Sequence, residues 1–291
     1  MPTAATHQAL TSLGIRSKSL DPFYGALRDS AAPSIDSFLE HRPEFMEIGK
    51  AHIAYHLIQR EDPGTLNSTQ PSGKWYDYLF RLVASCPFDQ LCSKEQLAIL
   101  TFNYDRSLEF WLRRTIQAQY GKTQAETIEV LRRLPIIHVY GSLGVLPGGE
   151  GPSRDYEPEV TTDKLRIAMA GIRIISEGQA ESPPLTEARR QLRSASHVVF
   201  LGFGYHPENV KRLDLRTCCS HRHSGPTGDA ARNRGIPDSA QIRGTAYGFT
   251  ESEKTHMVNR LFGPYHSIDL ADSGKDVRAF LRDSVELFVE E

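Results

Sequence analysis

Leu97-Ala98-Ile99-Leu100-Thr101-Phe102-Asn103-Tyr104-Asp105 is the stretch on which the reading of the fold turns. Its first four residues form an apolar run of the length of a buried strand. Beyond it, Leu108, Trp111, Leu112 and Thr115 recur at helical spacing up to Gly121, a residue suited to a helix stop. Asn103, Tyr104 and Asp105 therefore fall where a strand ends and a helix begins. In a parallel α/β sheet the carboxyl ends of the strands are where ligands bind, and a carboxamide and a carboxylate two residues apart can share one crevice there. The same residues also fit a plain structural role, with Asp105 capping the helix and Asn103 satisfying a turn.

Two further stretches repeat the pattern. In 134–142, apolar residues bracket His138, and Gly141-Ser142 closes the strand. A histidine at that position either donates to a carbonyl inside the core or, beside the first strand, shares a crevice with Asn103 and moves protons. In 197–205, His197-Val198-Val199-Phe200-Leu201 runs into Gly202-Phe203-Gly204-Tyr205, and Pro207 then opens a helix. A strand, a glycine pair and a helix start let a backbone approach a nucleotide closely; a tight turn without ligand has the same signature.

Working outward, 1–32 has weak periodicity and reads as a weakly structured start. From 33 to 95 the chain reads as a helical layer: Ser34 caps a helix interrupted by Pro43, Phe45 to Ile58 continue a helical face up to Glu61, 64–73 is a loop, and Trp75, Tyr76, Leu79, Phe80 and Val83 line another helix. The loop 148–158 suits a flexible rim or lid. A helix is expected from Lys164 to Ile175. Another follows Pro184, with Leu185, Ala188 and Leu192 inward and Arg189, Arg190 and Arg193 toward solvent. A short edge strand is expected at 245–248, a helix capped by Thr250 and Glu253 through Leu261, a last strand at 267–270, and a closing helix carrying Val277, Phe280, Leu281, Val285 and Phe288. The fold class is α/β: a Rossmann-like parallel sheet with helices on both faces and a helical insertion, all within one domain over 1–291, with 96–291 as its core.

The chain has 291 residues, 39% of them hydrophobic, and can bury a substantial core. A net charge of -2 makes no electrostatic case for nucleic acid. No stretch has the length or apolarity of a signal region or a membrane span, so a cytoplasmic protein is expected. Cys86, Cys92, Cys218 and Cys219 contain no CxxC pair, which indicates neither a zinc ribbon nor a disulfide framework. Cys218, Cys219, His221 and His223 crowd together, but adjacent cysteines before H-x-H lack a usual zinc spacing. No metal is expected, and this segment reads as a mobile surface loop.

Taken in order, Thr101-Phe102-Asn103-Tyr104-Asp105, His138-Val139-Tyr140-Gly141-Ser142 and Gly202-Phe203-Gly204-Tyr205 resemble the sirtuin-like family, most closely its bacterial antiphage-defence branch, which hydrolyses NAD. Ser34 to Leu39, Ile48-Gly49-Lys50 and Gly244 to Gly248 add to the resemblance, which runs from about residue 33 onward. It implies an NAD glycohydrolase releasing nicotinamide and ADP-ribose, with NAD as substrate, and a role as an antiphage effector. By position, Asn103 matches the asparagine that orders the ribose and a water, and His138 the general base. Asp105 matches the acidic residue that closes the nicotinamide side, and Tyr104 is a further cofactor-binding candidate. Gly202 and Gly204 match glycines lining the ribose-adenine part, and Phe203, Gly141 and Ser142 are further cofactor-binding candidates.

Two departures qualify the resemblance. The deacylating members carry a four-cysteine zinc module that this chain lacks, which argues against deacylation and for NAD hydrolysis. Family members also begin with a strand and a Gly-Ala-Gly-like turn that cradles the pyrophosphate; here the chain starts after that unit. The expectations are an alternatively started or truncated member, or one whose sheet is completed by a partner subunit or a second copy. The competing reading is a catalytically silent nucleotide-binding or oligomerisation module.

Overall fold

The computed structural model describes residues 3–32, 34–66, 75–84, 86–92, 97–174, 182–215, 236, 240–261 and 268–283. The architecture is mixed α/β with two small parallel sheets. The chain divides into two compact units, the first Met1–Ser68 with Phe88–Pro184, the second Thr69–Pro87 with Leu185–Glu291. The Cys218 to His223 cluster lies outside the described residues.

In the first unit the helices are α1 (Ala4–Ser12), α2 (Ser17–Asp29), α3 (Ile35–His41), α4 (Met46–Ile58) and the single turn α5 (Pro63–Leu66). Strand β1 is Ile99–Thr101 and β2 is Ile136–His138. The second unit holds α6 (Trp75–Val83), most of α10 (Pro183–Ser194), β3 (His197–Phe200), α11 (Pro207–Arg212), β4 (Gln241–Gly244), α12 (Glu251–Leu261), β5 (Ile268–Leu270) and α13 (Val277–Asp283). Between β1 and β2 run α7 (Ser107–Tyr120) and α8 (Gln124–Leu131), and α9 (Thr162–Gly171) follows β2.

The amino-terminal residues are better ordered than their periodicity suggests. Thr3 caps α1 by accepting from the Thr6 amide at 3.2 Å, and Leu10, Leu20 and Phe23 are buried. Pro22 sits inside α2, where it removes an intrahelical amide and obscures the helical pattern. The Ser34 cap is present, accepting from the Ser37 amide at 3.1 Å, and Pro43 opens a 3₁₀ turn before α4. Helix α7 ends at Gly121 in the left-handed region, at φ 62°, a geometry glycine adopts without strain. Helix α9 stops at Gly171, four residues short of the expected end. A Cβ on Gly171 would collide with the Ser142 carbonyl, and one on Gly141 with the Gly171 carbonyl. These two glycines let the end of β2 lie against the end of α9.

Among the described residues all strand pairing is parallel, as expected, and it falls into two sheets, β1-β2 and β3-β4-β5. In the second, the expected edge strand at 245–248 is replaced by β4, four residues earlier and central. Its sequence Gln-Ile-Arg-Gly hides it: only Ile242 is a large apolar residue, and backbone bonding on both sides supplies the rest. The Thr250 and Glu253 capping box holds, each side chain bonding the other residue's amide. In α10, Leu185, Ala188 and Leu192 are buried, while Arg189 turns in to donate to the Arg212 carbonyl at 2.8 Å.

One buried ionic cluster ties the first unit together. Glu61, Arg106 and Arg154 are 1%, 1% and 4% exposed. Arg106 grips Glu61 through Nε at 3.0 Å and Nη2 at 2.6 Å, and donates to the carbonyls of Val145, Arg154 and Asp155. All five guanidinium donors are thereby used. Arg154 Nη2 lies 2.8 Å from Glu61 Oε2, and its Nε donates to the Leu143 carbonyl at 2.7 Å. The segment 148–158 is therefore no free rim: Arg154 anchors it, and Tyr156 stacks on Phe110 with centroids 4.2 Å apart.

Removing the carboxylate would leave two guanidinium groups buried without a counter-charge. Glu61→Leu is expected to destabilise the protein by about 3–5 kcal/mol, read from urea denaturation. Arg132→Ala, which breaks an exposed pair with Glu129, is expected to change stability by less than about 0.5 kcal/mol. Equal effects would mean that the cluster does not organise this unit.

Candidate functional site

The register of the first sheet sets the site. Ile99, Leu100 and Thr101 pair with Ile136, Ile137 and His138, so both strands end at the same level. The Val139 amide donates to the Thr101 carbonyl at 2.9 Å, and the Leu143 amide to the Tyr104 carbonyl at 2.9 Å. The two strand ends thus leave the sheet side by side. This brings His138 against Asn103 although 34 residues separate them: His138 Nδ1 donates to the Asn103 backbone carbonyl at 2.7 Å.

The other nitrogen of that ring is also engaged. His138 Nε2 lies 2.6 Å from Glu109 Oε1, in the first turn of α7. Burial pulls the ring downward in pKa. The hydrogen bond and charge of Glu109, the Asn103 carbonyl and the charge of Asp105 outweigh it, so the ring titrates above the ordinary histidine range. Glu109 carries no motif, and only its position one turn after Asp105 marks it in the sequence. Asp105 itself accepts from both the amide and the hydroxyl of Ser107. The expected cap is not formed: the capping position is Arg106, whose side chain makes no cap hydrogen bond, and Asp105, one residue earlier, closes a turn on Ser107 instead.

Asn103 is exposed, and its carboxamide has no hydrogen-bond partner among the described residues. With Phe102, Tyr104 and Asp105 it lines a cavity of about 560 Å³ whose other walls come from α2, α3 and α4. His138 is not among the lining residues. Tyr104 donates to Asp36 at 2.7 Å, with the Arg173 carbonyl 3.2 Å away, which fixes the turn to the start of α3. On the far wall, His52 stacks on Phe23 with centroids 5.3 Å apart, and its Nε2 is 2.7 Å from the Tyr24 hydroxyl. Burial, then the neighbouring His56, lowers His52 to about 4; burial likewise lowers His56. The walls hold two carboxylates, Asp36 and Asp105, and two histidines held neutral, with neither lysine nor arginine. That suits an aromatic group of neutral or positive charge within these walls and offers no counter-charge to an anionic one. Tyr24, Asp36, His52 and His56 are the site residues that sequence reading missed; the i, i+4 histidine spacing is the one signal for a shared face.

The remaining sequence candidates have structural partners. Gly141, at φ 81°, lies against the Gly171 backbone, and Ser142 donates to the Gly144 carbonyl at 3.2 Å. In the second unit, Gly202, Gly204 and Tyr205 all have positive φ, 59°, 65° and 49°, so the glycine pair makes a sharp turn after β3. The Gly202 amide donates to Thr245 Oγ1 at 2.8 Å, and Phe203 packs on Phe200 with centroids 5.0 Å apart. Helix α11 is six residues long with Glu208 in its first turn, the wrong sign for attracting phosphate.

Among the described residues, no group of three or more His, Cys, Asp or Glu side chains is placed to hold a metal ion, and no helix is long and apolar enough to cross a membrane. No family model, no curated protein and no solved structure matches the chain.

The neutral His52 makes a signed prediction. Its folded pKa lies below the unfolded value, so the unfolded chain binds the extra proton first and stability falls as pH drops from about 6.5 toward 4. The wild type is expected to lose about 2–3 kcal/mol more than His52→Gln between pH 7 and 4.5, read from denaturant midpoints at both pH values. Parallel losses would show that His52 is not held neutral in the folded state.

Proposed function

We propose that the chain is a sirtuin-like NAD glycohydrolase that cleaves NAD to nicotinamide and ADP-ribose. The observation that carries the reading is the Asn103 turn: the residue lines the cavity while its carbonyl holds the imidazole of His138. Those are the two side-chain types that the resemblance assigns to the reaction.

The chemistry proceeds by breaking the bond between C1′ of the ribose and the pyridinium nitrogen. Nicotinamide leaves neutral, the positive charge passes to an oxocarbenium-like ribose, and water adds there and gives up a proton. In this reading Asn103 orders the ribose and the water, and His138, which does not itself line the cavity, takes the proton through an intervening water once its Nε2 is released. Asp105 and Asp36 offer negative charge to the pyridinium ring, and the aromatic wall of Phe23, Tyr24 and Phe102 gives it a surface to stack on. A role as an antiphage effector rests on the resemblance alone.

A second reading has its own support. Both nitrogens of His138 are engaged, the Gly202 amide is taken by Thr245, and no third strand pairs with β1 among the described residues. These features fit a catalytically silent nucleotide-binding or oligomerisation module, with a further strand supplied by a partner or a second copy. Calorimetry separates the readings: heat of NAD binding without nicotinamide release supports the module.

For the leading reading, Asn103→Ala and His138→Ala are each expected to lower nicotinamide release by roughly a hundredfold or more, with circular dichroism unchanged. Undiminished release by either variant, or no release by the wild type, would refute the assignment.

A further inference from the structure

His138 sits between two acceptors. A backbone carbonyl can only accept, so Nδ1 carries a proton in its 2.7 Å contact with Asn103. At Nε2, an ionised carboxylate 2.6 Å away also requires a donor. A neutral ring with its lone pair on Nε2 would face the carboxylate oxygen with no hydrogen between them. The contact therefore holds one shared proton, and the ring has no nitrogen left for a substrate. Glu109 is a quarter exposed and His138 about a tenth, so neither is locked in by packing alone.

We propose that Glu109 is a positioning residue that latches His138: it occupies Nε2 in the resting site, keeps a proton on each ring nitrogen, and must withdraw before the imidazole can act as a base. The proposal rests on His138 being the base of the reaction above. In the releasing step the Nε2 proton passes to Glu109 Oε1, leaving a neutral imidazole and a neutral carboxylic acid. The acid then turns away and yields its proton to water. Nε2 is left with a free lone pair at the position a hydroxyl of substrate or water would take, and Nδ1 stays bound to the Asn103 carbonyl. The latch thus turns the ring on without moving it.

The charged groups around the pair come from two places. Asp105 lies at the turn before α7 and acts on the ring. Arg113, one turn beyond Glu109 on α7, interacts with the carboxylate and is itself anchored to the Pro147 carbonyl at 2.7 Å. Asp105 and Glu109 favour the protonated ring. Substituting Glu109 by glutamine keeps the shape, and its NH₂ can donate to a neutral Nε2. The variant should therefore release the proton without disturbing the ring.

The test is nitrogen-15 NMR of the histidine rings in the full chain, with His138→Gln identifying the resonance among the 11 histidines. In the wild type, both His138 nitrogens should be protonated at pH 7. In Glu109→Gln the ring should be neutral at that pH, protonated on Nδ1 alone, with its titration at least one pH unit lower; Glu109→Asp, which keeps the charge, should restore part of the difference. The acid limb of NAD hydrolysis should move down by the same amount in Glu109→Gln. A neutral His138 in the wild type at pH 7, or a Glu109→Gln titration matching the wild type, would overturn the latch. Should the chain release no nicotinamide at all, the NAD assignment fails while the ring titration still decides the latch.

Discussion

The first unit depends on a carboxylate buried between two guanidinium groups. Glu61, just beyond α4, meets Arg106 from the turn before α7 and Arg154 from the segment after β2. Without the cluster these segments would rely on apolar packing, which leaves register loose, and on scattered contacts such as the bond from the Leu143 amide to the Tyr104 carbonyl. With it, five donors of one arginine fix five acceptor contacts on three stretches of chain. Arg106 immediately follows Asn103-Tyr104-Asp105, so the position of that turn is set by the ionic cluster on one side and by β1 on the other. Burying charge in this way adds little net stability, because desolvation nearly cancels the attraction. What it contributes is a single geometry.

That geometry places chemistry on both sides of one peptide. The Asn103 carbonyl bonds His138, and the residue lines the cavity among α2, α3 and α4. The electrostatics of the two sides differ in sign. His52 is buried in an aromatic cluster and is neutral, so the cavity wall carries no positive charge. His138 is drawn upward by Glu109 and Asp105. In the proposed reaction this division is useful: a wall without cations tolerates a pyridinium ring, and the base is held in reserve by Glu109 until the substrate arrives.

The sequence was most legible where backbone periodicity and side-chain chemistry agree. The apolar run before Thr101, the bracketed His138 and the run His197 to Phe200 announce three strands because each is a short apolar run flanked by turn residues. Helix α7 was legible from Leu108 to Gly121, and the cap at Thr250 from its glutamate. Where tertiary contacts decide, the pattern was silent. Helices α1 and α2 hide behind Pro22 and polar residues; β4 has a single large apolar side chain; the segment 148–158 reads as a flexible lid because nothing in its composition reveals that Arg154 is drawn inward by Glu61, 93 residues away. The same holds for the site. Asn103, Asp105 and His138 stand at strand ends and could be picked out, whereas Glu109, His52 and Tyr24 gain their meaning only from what the fold sets opposite them.

A structure of the chain with NAD bound tests the central claim most directly. The account predicts the pyridinium ring inside the cavity beside Asn103 and Asp105, the scissile bond within reach of the Asn103 carboxamide, and the Glu109 carboxylate swung off Nε2 of His138. A cavity that stays empty at saturating NAD, or a dinucleotide seated with its ring away from Asn103, would contradict it.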